Sequence, residues 1–463
     1  MALASGSVCD YKLRHKRLAR RDLSSGSGAT WIFYIICSVG LRGGNGSTMQ
    51  NVNRWWIAFA GVCLQMALGA AYAWSVFRIP LSREFGWTIT QVTATFTIGW
   101  FCLGCGSILG GIWLLRTSPR VVAMTAGFLW GLGVFLASFS AHRLWWLYLT
   151  YGVIGGVGLG MGYVVPIAVL VKWFPERRGF ITGLAVAGFG AGSLVSAPIA
   201  VRLIASVGPL ETFAYLGVGY AIVAIASAWF MENPPTGWHP KDWTPTAAQV
   251  SQRSDRDYTL GEAISKWQWW ALCALMSINT MAGLSIVSQA APIFQEMGQA
   301  TAATAAALVG IISIGNGAGR IFWAWISDVT TRKAAFLLMY IVEALLFWSY
   351  HSFTSIGILL AATFVIAMCY GGGYGITPAF AADYFGPGHV GPIFGAMMLP
   401  WAFASAFGPS LFAYLRQVTG DYNKGLYLIA GMITLATILP IVVSPPHKQR
   451  DQTLKGTASV QKV

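Results

Sequence analysis

Acidic side chains are scarce in this chain. Its 463 residues hold 16 Asp and Glu against 30 Lys and Arg, and charged residues make up only 10% of the whole. A soluble domain carries about 25%. With 56% hydrophobic residues, a soluble globular protein is excluded. Histidine is as sparse: all six fall at helix ends, in loops or in tails, so no histidine proton relay is visible. The seven cysteines give no disulfide framework. Cys9 and Cys37 lie in an atypical N-terminal region and the other five in apolar spans. Cys102 and Cys105 form a CxxC inside an apolar helix with no His or second pair nearby, so packing is a better reading than metal or redox chemistry. The spans contain no Ser-His-Asp set, metal cluster or phosphate loop, which makes a membrane enzyme the weakest class. No cofactor and no metal are expected.

What is abundant is apolar length and glycine, of which there are 54, as suits helices that approach closely in lipid. Windows of about 20 apolar residues predict twelve spans. The first half offers 55–79, 90–115, 121–140, 145–171, 180–204 and 211–231; the second offers 267–291, 304–327, 334–353, 355–381, 392–415 and 425–444. Between them, 232–266 is a polar loop with Pro234, Pro235, Pro240 and Pro245. The expected organisation is a tail over 1–53, a six-helix bundle over 54–231, the central loop, a second bundle over 267–444 and a tail over 445–463. The fold class is therefore an all-α membrane protein with twelve transmembrane helices in two pseudo-symmetric bundles.

The symmetry is written in the residues. Trp55-Trp56 recurs at Trp269-Trp270, Gly69 at Gly283, Pro80 at Pro292 and Glu84 at Glu296. The stretch Gly111 to Arg120 recurs as Ala324 to Lys333, and Tyr163, Phe174, Gly179 and Gly183 recur as Tyr374, Phe385, Gly391 and Gly395. A near-constant offset argues against chance matching. Duplicated apolar halves are how many secondary transporters build a substrate site at the repeat interface. Gly152, Gly156 and Gly160, and Gly188 with Gly192, have the spacing of close helix contacts.

Basic residues fix the expected orientation. Arg116, Arg120, Lys172, Arg177, Arg178, Arg332, Lys333, four in the central loop and the C-terminal Lys448, Arg450, Lys455 and Lys462 share one side. Arg78, Arg83, Arg143, Arg202, Arg416 and Lys424 share the other. Both termini and the central loop are expected in the cytoplasm, in a multi-pass plasma-membrane protein (the inner membrane in a bacterium). The net charge of +14 follows from this bias and calls for no nucleic-acid partner; a monomer in the bilayer is expected. The first 48 residues lack a repeat counterpart, and the apolar run Thr30 to Leu41 is too short to span. Met49, just before Asn53-Arg54-Trp55, is the expected true start. The basic run Lys12 to Arg21 reads as a solvated tail, with contact to anionic lipid as the alternative.

Several stretches carry a family resemblance. Gly158-Leu-Gly-Met-Gly-Tyr163-Val-Val-Pro166 is followed by Val171-Lys-Trp-Phe174-Pro-Glu-Arg-Arg-Gly179 and by Gly183-Leu-Ala-Val-Ala-Gly188-Phe-Gly-Ala-Gly192. With Tyr370-Gly-Gly-Gly-Tyr374 and Pro378, they resemble the oxalate:formate antiporter family of the major facilitator superfamily, which monocarboxylate transporters resemble too. The resemblance covers roughly Arg54 to Ser444 and implies a rocker-switch carrier of small carboxylates. It also implies a loop motif after the second helix, in which an acid and basic neighbours clamp the two halves. The second copy has Asp328, Arg332 and Lys333. The first has Arg116 and Arg120 but Leu115 in place of the acid, which leaves ordinary positive-inside loops as the plainer reading there.

Arg320 lies eight residues before Asp328, about 12 Å inside at 1.5 Å per residue. A guanidinium keeps its proton there, faces the interior or a wet path, and suits a carboxylate in bidentate geometry. The resemblance points the same way, to an Arg in the eighth helix as the carboxylate-binding charge. Snorkelling, or pairing with a fixed acid, is the structural alternative. The one acid read as deep in a span is Glu343, for which pairing with Arg320 is preferred over carrying a proton. The resemblance further implies a Lys in the eleventh helix of oxalate carriers; here Gly395 to Pro409 contains no cation, and the Lys would fall at or near Trp401. With Arg320 alone, a monocarboxylate (formate, lactate or pyruvate in type) is easier to neutralise than oxalate. Tyr72, Trp74, Tyr163, Tyr370, Tyr374 and Trp401 are the aromatic candidates for closing the site, matching places where the family has cavity aromatics. The expected function is secondary transport of a small organic anion; a carboxylate sensor without net flux is the alternative, and no added signalling domain favours it.

Overall fold

The computed structural model describes residues 53–241, 243–245, 253–254 and 256–446. Met49, the N-terminal basic run and the C-terminal lysines lie outside the described residues. Twelve helices are long and apolar enough to cross a membrane. They are α1 (Arg54–Phe85), α2 (Ile89–Trp113), α3 (Pro119–Ala137), α4 (Leu144–Trp173), α5 (Arg178–Val207), α6 (Pro209–Ala228), α7 (Trp267–Glu296), α8 (Ala302–Val329), α9 (Arg332–Ser352), α10 (Ile356–Phe385), α11 (Val390–Thr419) and α12 (Asn423–Val442). Each predicted span is found. The helices α1, α4, α5, α7, α8, α10 and α11 run past their apolar windows, and polar side chains cap several of the helix starts. Thr88 and Gln91 form a capping box on α2, and Ser118 caps α3 just ahead of Pro119. Thr301 and Thr331 cap α8 and α9. Each side-chain oxygen satisfies an N–H that the helix leaves unpaired.

Two helices carry an eight-residue irregular stretch. In α1, Ala70–Phe77 is a 3₁₀ stretch; in α4, Tyr148–Gly155 is π-helical. The packing repeats with the sequence. In the first half α1 packs on α5, α2 on α4 and α3 on α6; in the second α7 packs on α11, α8 on α10 and α9 on α12. The halves meet where α5 crosses α8 and α10, and where α11 crosses α2. Glycine makes these approaches possible: a Cβ at Gly183 would collide with the Arg320 carbonyl oxygen, and one at its repeat partner Gly395 with that of Ser107. Gly152, Gly156 and Gly160 of α4 face α2, and Gly188 and Gly192 face α1. Large apolar side chains such as Leu194, Ile222 and Leu435 are exposed on the outside, where hydrocarbon stabilises them.

Candidate functional site

Arg320 sits at the crossing of the halves and is 3% exposed. Its Nη1 donates to the Val186 carbonyl of α5 at 2.7 Å, and its Nη2 to Asn316 Oδ1 at 3.0 Å. The Asn316 amide is oriented by its own donation to the Ala367 carbonyl. The guanidinium lies against Gly190, where a Cβ would stand 3.0 Å from Cζ, and 5.3 Å from the ring centroid of Tyr374. Its Nε has no hydrogen-bond partner among the described residues. The ionisable groups around this charge are Tyr72, Tyr163, Tyr370 and Tyr374. No acid pairs with it among the described residues. The expected pairing with Glu343 is therefore absent. Glu343 is fully buried in α9, and neither carboxylate oxygen has a hydrogen-bond partner among the described residues.

Above Arg320 lies an aromatic floor. The Tyr374 hydroxyl accepts from Trp401 Nε1 at 2.5 Å and lies 3.0 Å from the Tyr370 hydroxyl. Trp401 meets Trp100 of α2 edge-on at 5.9 Å, and Trp100 meets Tyr72 at 5.1 Å, so this layer bridges the halves. Over it opens a cavity of about 610 Å³ whose lining includes Tyr72, Trp100, Tyr370, Trp401 and Phe403. Tyr163 is buried lower, against Phe189 and Phe394. Trp74 is the exception among the aromatic candidates. It packs against Phe77, Tyr151 and Phe213 inside the first bundle, away from the cavity. Positions two apart on a helix do not share a face, so Tyr72 and Trp74 could not both line it.

The basic end is sealed by a charge network. The Asp328 carboxylate accepts the N–H groups of Gly179 and Phe180 at 2.9 and 2.6 Å, across the halves and at the α5 N-terminus, where the helix dipole favours an anion. Arg332 bridges Asp328 (2.6 Å) and Asp383 (2.9 Å). Asp383 also takes Arg178 of the first half at 2.7 Å. Arg253 of the central loop reaches Asp383 at 3.5 Å and donates to the Pro175 carbonyl at 2.7 Å. Burial and the neighbouring Arg178 lower the Arg253 guanidinium to about 10, against the pull of Asp383, so it stays charged at neutral pH. Asp328 thus joins the halves and Arg332 holds its carboxylate from within the second half, whereas the other clamp candidates take no part in the crossing. Lys333 donates to the Ile441 carbonyl within the second half. Arg120 pairs with Glu232 at the start of the central loop, and Arg116 is exposed. Asp383, Arg178 and Arg253 were not singled out from sequence. The predicted tenth span stops at 381, while α10 runs to Phe385; Asp383 is thus a second buried acid in a span.

A family model for the Major Facilitator Superfamily matches residues 56–342 and 274–462. The chain belongs to the major facilitator superfamily. It is 30% identical over 357 residues to the uncharacterized MFS-type transporter YhjX of Escherichia coli (strain K12), covering 76% of this chain and 86% of that one. To the oxalate:formate antiporter of Oxalobacter formigenes it is 26% identical over 401 residues, 85% and 92% of the two chains. To monocarboxylate transporter 13 of Rattus norvegicus it is 27% identical over 414 residues, 85% and 89%. The crystal structure of the superfamily member FucP in the outward conformation shares the fold, with a TM-score of 0.65 at 13% identity over 83% of this chain and 97% of that one. The suspected relationship to oxalate:formate antiporters and monocarboxylate transporters is thus found, and the protein is a membrane transporter rather than an enzyme.

Proposed function

We propose that this transporter carries a small monocarboxylate, of the formate, lactate or pyruvate type, by alternating access, with its basic end in the plasma-membrane cytoplasm face and Arg320 as the counter-charge. The supporting observation is a buried guanidinium between the halves whose hydrogen-bond partners, Val186 and Asn316, are both neutral. An uncompensated buried charge costs several kcal/mol, and a bound carboxylate offsets that cost through paired charge-assisted bonds. The anion-loaded carrier is nearly neutral at its centre and rearranges readily; the empty one retains the charge and rearranges slowly. Exchange is then faster than net flux. The similarity to an oxalate:formate antiporter and to a monocarboxylate transporter supports the substrate class. Trp401 supports the monovalent choice, since an indole stands on the cavity floor where a second cation would be needed, and the lining of the cavity holds none.

Counterflow into proteoliposomes tests this reading. Vesicles loaded with unlabelled formate, lactate or pyruvate should accumulate the labelled acid, and oxalate should compete poorly. Strong oxalate exchange defeats the charge argument; binding without any flux favours a sensor. Trp401→Lys should shift preference toward dicarboxylates by about tenfold, because a second cation offsets desolvation of the second carboxylate. Intact activity with unchanged selectivity would mean that the side chain at 401 does not face the substrate.

A further inference from the structure

The 3₁₀ winding of α1 has a geometric result. Side chains three apart eclipse in a 3₁₀-helix, which rises about 2.0 Å per residue. Tyr72 and Ser75 lie in the stretch Ala70–Phe77, and Arg78 follows it directly. These three therefore align on one face, with Arg78 about 12 Å outward of Tyr72. Under α-helical winding, Arg78 would turn well away from Tyr72. Tyr72 lines the central cavity. Arg78 lines an outer depression of about 480 Å³ together with Ile89, Thr90, Thr93 and Thr97 of α2. Thr97 and Ile98 line both spaces, so the depression adjoins the mouth of the cavity.

Arg78 has no ion-pair partner among the described residues, and its Nε is buried without a hydrogen bond. It is the one charged residue on the walls of the two spaces. The Thr93 and Thr97 hydroxyls donate to the carbonyls of Ile89 and Thr93. They keep the wall polar but turn their hydrogens away from a passing anion. We infer that Arg78 is an outer docking site for the carboxylate, which captures the anion at the mouth and hands it along the Tyr72 face of α1 toward the floor above Arg320. This rests on the carboxylate transport proposed above. Being exposed to solvent on one side, the site binds weakly and releases readily, as a path to a deeper site requires.

Such a site acts on capture and not on the rearrangement of the loaded carrier. In reconstituted full-length protein, Arg78→Gln should raise the KM for formate, lactate or pyruvate, whichever the unchanged protein exchanges best, by about three- to five-fold at low ionic strength. The kcat should stay the same, Arg78→Glu should raise KM further, and Arg78→Lys should restore most of the loss, since capture needs charge rather than a fork. In about 0.5 M salt the difference between Arg78→Gln and the unchanged protein should nearly vanish, because the Debye length falls well below 10 Å. Equal KM values at low salt, or a KM defect that survives high salt and is not rescued by lysine, overturn the inference while leaving carboxylate transport intact. Absence of exchange by the unchanged protein overturns the reading on which both rest. A kcat loss shared by all three variants points to a structural role in α1 and overturns the docking role alone.

Discussion

Two crossings related by the internal repeat share a backbone and differ in chemistry. Where α5 crosses α8, Gly183 lies on the Arg320 carbonyl; where α11 crosses α2, Gly395 lies on the Ser107 carbonyl. Ser107 occupies the repeat position of Arg320, and its hydroxyl turns to the Leu103 and Gly160 carbonyls. Leu115 occupies the position of Asp328 and is half exposed. Lys172 occupies that of Asp383 and reaches Asn233 at the start of the central loop, not the other half. Pro392 occupies the position of Phe180. Asp328 accepts the Phe180 N–H, and proline has none to offer. The acid and the donor it would serve are therefore missing together. Close backbone approach is required by the fold, so both crossings have it. The proposed anion and the seal each need charge at one crossing only.

The largest effect should come from removing the charge that breaks the symmetry. Arg320→Gln should lower counterflow by more than about 100-fold, given that each charge-assisted bond contributes about 1.5–3 kcal/mol and 1.4 kcal/mol is a factor of ten. Arg320→Lys should rescue poorly, since it lacks the fork. Ser107→Ala should stay within about twofold, because only bonds within the first half are lost. Comparable losses at 320 and 107 would mean that both crossings serve transport through packing alone.

The seal should show the same contrast at a smaller scale. Asp383 holds Arg178 and Arg332 with all three side chains less than a tenth exposed. Asp383→Asn leaves two buried guanidinia short of a partner and should cost about 3 kcal/mol, read as a lower Tm in detergent. Lys172→Met, at the paired position, should cost less than about 1 kcal/mol. Equal costs would show that the network does not bind the halves together.

Much of this was legible before any coordinates. Apolar windows place all twelve helices, and the repeat pairs, Gly183 with Gly395 among them, mark the two halves whose crossings the structure shows. Arg320 stands out because a cation eight residues inside a span needs a reason. The misses have physical causes. Hydropathy drops before Asp383, so the predicted helix ends early and its acid reads as loop. The Arg178–Asp383 bond joins residues 205 apart, which no local pattern encodes. The 3₁₀ stretch of α1 replaces a period of 3.6 with 3.0, so the alignment of Arg78 with Tyr72 does not follow from α-helical spacing. Glu343 looked like the partner of Arg320 because it was the one acid in reach of the hydropathy reading; α9 instead buries it beside Tyr340 and Ala344, on the face that holds Phe336 and Phe347.

The finest test rebuilds the missing acid. If Leu115 and Pro392 are matched losses, restoring one of them alone should gain nothing. Leu115→Asp places a carboxylate near the α11 N-terminus with the Gly391 N–H as a donor and no N–H at 392. Pro392→Ala supplies that N–H without adding bulk where the Pro392 Cα crowds Gly111. Only the double variant recreates the pair of donors that Asp328 receives from Gly179 and Phe180. A double-mutant cycle on thermal unfolding should then give a favourable coupling of about 1 kcal/mol, with Leu115→Asp alone near neutral at a half-exposed site. The double variant should also exchange anions more slowly, because two seals must part at the basic end instead of one. A coupling of zero, or full stabilisation by Leu115→Asp without the second change, would break the link between the leucine and the proline and leave the asymmetry of the two crossings without this cause.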